Sequence, residues 1–162
     1  MKKLQNFKLI IFDRDGVINQ KPIKGKKYIE NQSEIILDKN IIKIICKMQK
    51  MEIIIACATN QQGIGLGLIS KNHLARMHNF INREILAYGG KPILFLHCPH
   101  LSEDYCFCRK PNPGMLIEAM EKFSIESSHT LFVGDQESDK LAAYNAGIEF
   151  IFAKDLKIDL IN

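Results

Sequence analysis

Five short runs of branched, apolar residues recur along the chain: LIIFD (9 to 13), EIIIACAT (52 to 59), PILFLH (92 to 97), TLFVGD (130 to 135) and EFIFA (149 to 153). Runs this short and this continuously apolar fit strands buried on both faces of a sheet. Between them the spacing turns helical. Ile41, Ile44, Ile45 and Met48 share one helical face, and Leu74, Met77, Ile81 and Ile85 form a second stripe. Ser70 is placed to cap that second helix, and Gly89-Gly90 to end it. Pro113-Gly114 opens a third helix that runs to about Phe123, and DKLAAYNAGI closes a fourth at Gly147, a residue suited to the left-handed turn after a helix. Strands and helices in strict alternation predict an α/β fold. It should be a doubly wound, Rossmann-like three-layer sandwich around a central parallel sheet.

Composition narrows this picture to one ordinary globular domain over residues 1–162. Of the 162 residues, 46% are apolar and 25% charged, enough for one core rather than two. The net charge of +4 is spread along the chain. Its densest basic stretch, KPIKGKKY (21 to 28), reads as a solvated loop, so no nucleic-acid partner is expected. The apolar run that follows MKKLQNFK is too short for a signal-peptide core, and no later segment suits a membrane span. Five cysteines, an odd number, argue against a secreted disulfide scaffold. The expectation is a cytoplasmic protein, monomeric and without membrane contact. Cys46 and Cys57 lie in apolar segments and read as small buried residues.

Doubly wound sheets bind their ligands beyond the carboxyl ends of the strands, so the polar residues that end each apolar run carry the chemistry. FDRDGVIN offers Asp13 and Asp15, FVGDQESD offers Asp135 and Asp139, and ATNQQG offers Thr59. Each has a plain structural alternative: an Asx turn for Asp13 and Asp15, a helix cap for Asp139, a turn hydroxyl for Thr59. Lys110 taken alone is a surface lysine. A separate cluster stands in CPHLSEDYCFCRKP (98 to 111). Its Cys-x-His-x5-Cys-x-Cys spacing lets Cys98, His100, Cys106 and Cys108 close a tetrahedral Zn²⁺ site. A reduced cysteine loop, or a strained disulfide between Cys106 and Cys108, is the alternative. His97, at a strand end, is a spare candidate ligand. Four protein ligands leave no open position, so a zinc here is structural, and it braces a loop (97 to 109) that runs directly into Lys110.

Taken together, Asp-x-Asp-Gly-Val, a strand-ending Thr, a Lys and Gly-Asp-x-x-x-Asp resemble the four-motif signature of the haloacid dehalogenase (HAD) superfamily of phosphatases. FDRDGVIN, ATNQQGIG, CPH…CFCRKPNPGM and VGD further resemble the heptose 1,7-bisphosphate 7-phosphatase and histidinol-phosphatase group. The likeness runs from about Leu9 to Gly147.

The resemblance implies a hydrolase that forms an aspartyl-phosphate on Asp13, with Asp15 as general acid and base. It implies a catalytic Mg²⁺ held by the Asp13 and Asp135 side chains and the Asp15 main-chain carbonyl. Lys110 and Thr59 would hold the phosphoryl oxygens, and Asp139 would stand behind them, orienting Lys110 or a metal-bound water. Asn60, Gln61, Gln62 and Arg109 are the expected substrate-binding residues. The segments between the motifs leave no room for a cap domain.

A small sugar bisphosphate of carbohydrate metabolism, in heptose biosynthesis, is the substrate this implies. Histidinol phosphate, or a polynucleotide 3′-phosphate, is the alternative within the same chemistry. A zinc-bearing interaction module without activity would have no use for Asp13. Two departures bear on the substrate: Leu66 stands where many relatives carry arginine, and the loop over residues 20 to 30 is long and basic.

Overall fold

A computed structural model describes residues 4–156 of the chain. The first three and last six residues of the expected domain therefore lie outside the described residues. The main elements are β1 (Leu9–Phe12), α1 (Lys39–Lys50), β2 (Ile54–Asn60), α2 (Lys71–Ala87), β3 (Leu94–Cys98), α3 (Gly114–Phe123), β4 (Thr130–Gly134), α4 (Glu137–Ala146) and β5 (Glu149–Phe152). All strand pairs are parallel, in the order β3-β2-β1-β4-β5. The expected α/β fold is the observed one.

Side chains of each strand alternate between two cores, as a pleated strand requires. Ile10, Phe12, Ile55, Cys57, Leu131 and Val133 pack with Ile42 and Ile45 of α1 and Leu74, Met77, Ile81 and Ile85 of α2. Leu9, Ile11, Ala56, Ala58 and Phe132 face the other way, onto Leu116 and Ala119 of α3 and Ala142 and Ala143 of α4. The two helical stripes are buried, which makes a three-layer sandwich. Asp38 caps α1 through Asn40 N and Ile41 N, Ser70 caps α2 through His73 N, and Gly147 closes α4 at φ 69°. Among the described residues no helix is long and apolar enough to cross a membrane.

Strand boundaries shift by one or two residues from the sequence expectation, most at β2 and β3. Glu52 adopts the left-handed conformation (φ 64°) in the turn after α1, so β2 starts at Ile54 and runs through Asn60. β3 continues through Cys98, which pairs with Asn60. The first residue of the cysteine-histidine cluster is thus a strand residue, fixed by the sheet. The path from β1 to β2 holds one α-helix and one 3₁₀ turn, and that from β2 to β3 a loop and one helix.

The order of the strands also places the site. From β1 the chain winds outward through β2 to β3, then crosses back to β4 on the other side of β1. The crevice between the ends of β1 and β4 is the reversal point at which such sheets take ligands.

Candidate active site

Asp13 and Asp135 follow β1 and β4 and meet at this crevice. The Asp13 amide donates to Val133 O (2.9 Å), which continues the sheet into the site. Its carboxylate Oδ1 accepts from Arg14 N at 2.7 Å and lies 2.8 Å from Lys110 Nζ. Oδ2 carries neither of these bonds. Lys110 is buried, with its ammonium between Asp13 and Asp139 Oδ1 (2.7 Å) and donating to Ala58 O (2.9 Å). Burial pushes the Asp13 carboxyl up to about 6, against the opposing pull of Lys110 and with help from the Asp139 and Asp15 charges. Burial works against the charge of Lys110, yet Asp13 and Asp139 outweigh it and raise its pKa above the ordinary lysine value.

Asp139 both caps a helix and orients the lysine. Its Oδ2 accepts from Asp135 N and Gln136 N, each at 3.0 Å, at the start of α4, while Oδ1 holds Lys110. Asp135 is different. Its Oδ2 takes Lys21 Nζ (2.6 Å) and Gln136 Nε2 (2.9 Å), but its buried Oδ1 has no hydrogen-bond partner. An unpartnered buried carboxylate oxygen is costly, and a cation relieves that cost. One carboxylate oxygen each from Asp13, Asp135 and Asp139 lie within 4.8 Å of one another. These hard oxygen donors suit Mg²⁺. Asp139 Oδ1 has the Lys110 ammonium beside it and Oδ2 the two α4 amides, while Asp135 Oδ1 has no such neighbour.

Asp15 sits at the mouth in a ring of donors. Arg14 Nε (2.9 Å) and Asn19 Nδ2 (2.9 Å) meet its Oδ1, and an Arg14 terminal nitrogen (2.9 Å) and Gln61 Nε2 (3.0 Å) meet Oδ2. Arg14 is fully buried, and its second terminal nitrogen faces His78 Nε2 at 3.4 Å. His78 stacks on Phe95, and burial, aided by the Arg14 charge, pushes its pKa down to about 2, so it stays neutral.

Two of the expected substrate residues make hydrogen bonds within the crevice. The Asn60 carboxamide donates to Lys110 O and accepts from Lys110 N, both at 3.1 Å, so its two ends hold the Lys110 backbone on both sides of the Cα. Gln61 is buried and donates to Thr59 Oγ1 (2.8 Å) as well as to Asp15. Both are thus tied to neighbouring residues of the crevice, Asn60 to Lys110 and Gln61 to Thr59 and Asp15. Thr59 is buried beside them. Gln62 accepts from Ser102 Oγ at 3.4 Å, on the outer side of the loop. Arg109 donates to His100 O (3.4 Å) and lines a cleft of about 320 Å³ with Ser102, Tyr105 and Asn112. Leu66 is 46% exposed.

The four soft ligands also converge. Cys98 Sγ lies 3.5 Å from Cys106 Sγ and 3.1 Å from Cys108 Sγ, and His100 Nδ1 lies 3.5 and 3.2 Å from Cys98 and Cys108. Tetrahedral zinc thiolates place their sulfurs ~3.8 Å apart, so the cluster is near the size of that ion's shell. All the cysteines are free, including Cys106 and Cys108 (3.5 Å apart). His97 stands outside the cluster, 6.2 Å from His78 in a row of partly buried rings.

Arg14, Asn19, His78 and Lys21 are the residues that sequence reasoning missed. His78 did leave a signal, because it falls on the buried stripe of α2, four residues after Leu74.

A family model described as HAD-hydrolase-like matches residues 107–155. The D-glycero-beta-D-manno-heptose-1,7-bisphosphate 7-phosphatase of Pseudomonas aeruginosa is 38% identical over 135 residues, which cover 83% of this chain and 74% of that protein. The bifunctional histidine-biosynthesis protein of Blochmanniella floridana is 30% identical over 90% of this chain but only 41% of its own length. Among solved structures, the D,D-heptose 1,7-bisphosphate phosphatase of Bordetella bronchiseptica, complexed with magnesium and phosphate, superposes with a TM-score of 0.82. It is 32% identical, over 89% of this chain and 79% of that one. With this fold, this crevice and these relatives, the chain belongs to the HAD-like hydrolases, in the phosphatase family that includes these heptose-bisphosphate enzymes.

Proposed function

We propose that the chain hydrolyses the C7 phosphate of D-glycero-D-manno-heptose 1,7-bisphosphate through an aspartyl-phosphate on Asp13, with Mg²⁺ as cofactor. The observation that carries this is the convergence of Asp13 and Asp135 at one strand crossing, opposite the buried Lys110, with an Asp135 oxygen left unpartnered. Mg²⁺, held by Asp13, Asp135 and the Asp15 carbonyl, supplies the positive charge that lets a carboxylate meet a phosphate dianion.

The chain's own groups do the rest. A carboxylate oxygen of Asp13 attacks phosphorus, the P–O ester bond breaks, and protonated Asp15 gives its proton to the departing alkoxide. Asp15, now a carboxylate, takes a proton from water as that water attacks phosphorus. The bond to Asp13 breaks and inorganic phosphate leaves. Lys110 and Thr59 face the phosphoryl oxygens, and Asn60 and Asp139 hold Lys110 at its peptide and its ammonium, where small displacements are costly. Arg109 is the side chain offered to a second phosphate or hydroxyl of the substrate.

Cys98, His100, Cys106 and Cys108 carry a structural Zn²⁺ beside Lys110. The enzyme acts as a cytoplasmic monomer on a small phosphate ester. The heptose enzyme of Pseudomonas aeruginosa is 38% identical to this chain and the bifunctional histidine-biosynthesis protein 30%, which favours the heptose substrate over histidinol phosphate. Phosphate release should be measured with Mg²⁺ for the heptose bisphosphate, histidinol phosphate and a 3′-phosphorylated oligonucleotide. The heptose substrate should have the highest kcat/KM, and Asp13→Asn should lower it at least ~10³-fold. Equal, feeble turnover of every ester would reject the heptose assignment, and an undiminished Asp13→Asn rate would reject the mechanism.

A further inference from the structure

Lys21 is the first basic residue of the 20 to 30 loop and the one that turns inward. The backbone just before it is pinned: Asn19 bridges to Asp15 and to Leu37, and Gln20 N donates to Ile36 O at 2.8 Å. From this fixed point the Lys21 side chain reaches Asp135 Oδ2 at 2.6 Å while remaining 56% exposed. Lys26 of the same loop is engaged elsewhere, with Glu34 at 2.5 Å. Gly16 makes the approach possible. A Cβ there would lie 2.5 Å from Asp135 Oδ2 and 2.8 Å from Lys21 Cε, so the glycine leaves a slot for both.

The electrostatics give this slot a use. Asp13, Asp15, Asp135 and Asp139 are opposed by two fully enclosed cations, Arg14 and Lys110. With a divalent ion added the site is neutral, and a phosphate dianion would then make it strongly negative. Lys21 is the third cation, and the ammonium's three donors leave two beyond the Asp135 bond. Those donors lie at the mouth, beside the acid that would bind the metal.

We propose that Lys21 is a substrate-binding residue of this site, whose ammonium takes an oxygen of the incoming phosphate, and that it weakens metal binding in the free enzyme by competing for Asp135. This rests on the phosphatase reading above. The two halves of the proposal predict opposite effects of one substitution, which a mere loss of loop structure would not produce.

In Lys21→Met, calorimetric titration of the metal-free protein with Mg²⁺ alone should show roughly 3- to 10-fold tighter binding, because a repelling charge is gone. In steady-state assays of the same variant, KM and the inhibition constant for inorganic phosphate should each rise about tenfold or more, the scale of a lost charged hydrogen bond. kcat should fall less than KM rises, and Lys21→Arg should restore phosphate binding. Weaker Mg²⁺ binding in Lys21→Met, or KM and phosphate inhibition within twofold of the wild type, would overturn the proposal. A wild type that releases no phosphate with Mg²⁺ would defeat the phosphatase reading itself, a separate outcome.

Discussion

Arg14 and Asp15 are neighbours in sequence and face one another in space, and their pairing binds function to stability. Arg14 is fully buried and meets Asp15 with a two-pronged contact, while its other flank faces the neutral His78 imidazole. Removing the carboxylate therefore strands a buried guanidinium. Asp15→Ala should cost about 3–5 kcal/mol in a urea melt, on the scale of breaking a buried ion pair from one side, and Asp15→Asn clearly less. Both variants should lose turnover. Asp15 was a candidate in the sequence because it follows a buried strand, and the structure places it at the mouth of the crevice. Arg14 was not, because a charged residue between two aspartates reads as solvated unless the turn that buries it is known. Asn60 and Gln61 were read as substrate contacts, since nothing in ATNQQG reveals that their amides face inward to Lys110, Thr59 and Asp15.

The strands and helices were legible almost throughout, because branched runs and helical stripes report burial directly. The misplaced edges have local causes: a left-handed Glu52, and a sheet that extends to Cys98, the first residue of the cysteine-histidine cluster. That cysteine ties the metal loop to β3, and α3 follows the loop within a few residues of Lys110. Elemental analysis of protein purified without chelator should find about one equivalent of zinc. Stripping it should lower kcat more than it disturbs the far-UV signal of the sheet, because the loop and not the strands depends on the ion. Zinc absent from well-folded, active protein would remove the brace. The spacing of Cys98, His100, Cys106 and Cys108 was visible in the sequence, and the structure brings their ligand atoms together.

Across the whole molecule, the enzyme's stability should couple Mg²⁺ to pH. The Asp13 carboxyl titrates at about 6 in the fold and near ~4 in an unfolded chain. The folded protein thus holds that proton more tightly, and this contribution is full below about pH 4 and lost as pH rises through about 6. Mg²⁺ requires the ionised form, so the rise in Tm with saturating Mg²⁺ should be larger at about pH 7.5 than at about pH 5. His78 destabilises the fold as pH drops below about 6.5, but with or without Mg²⁺, so it cancels in the difference. An equal Mg²⁺ shift at both pH values would place the ion away from Asp13. The architecture also leaves a freedom of design. Asn60 clasps the Lys110 backbone at its N–H and its C=O, acting as a rivet between β2 and that lysine. With the four clustered ligands kept, changes confined to the segment between His100 and Cys106 should leave the Lys110 backbone where Asn60 holds it.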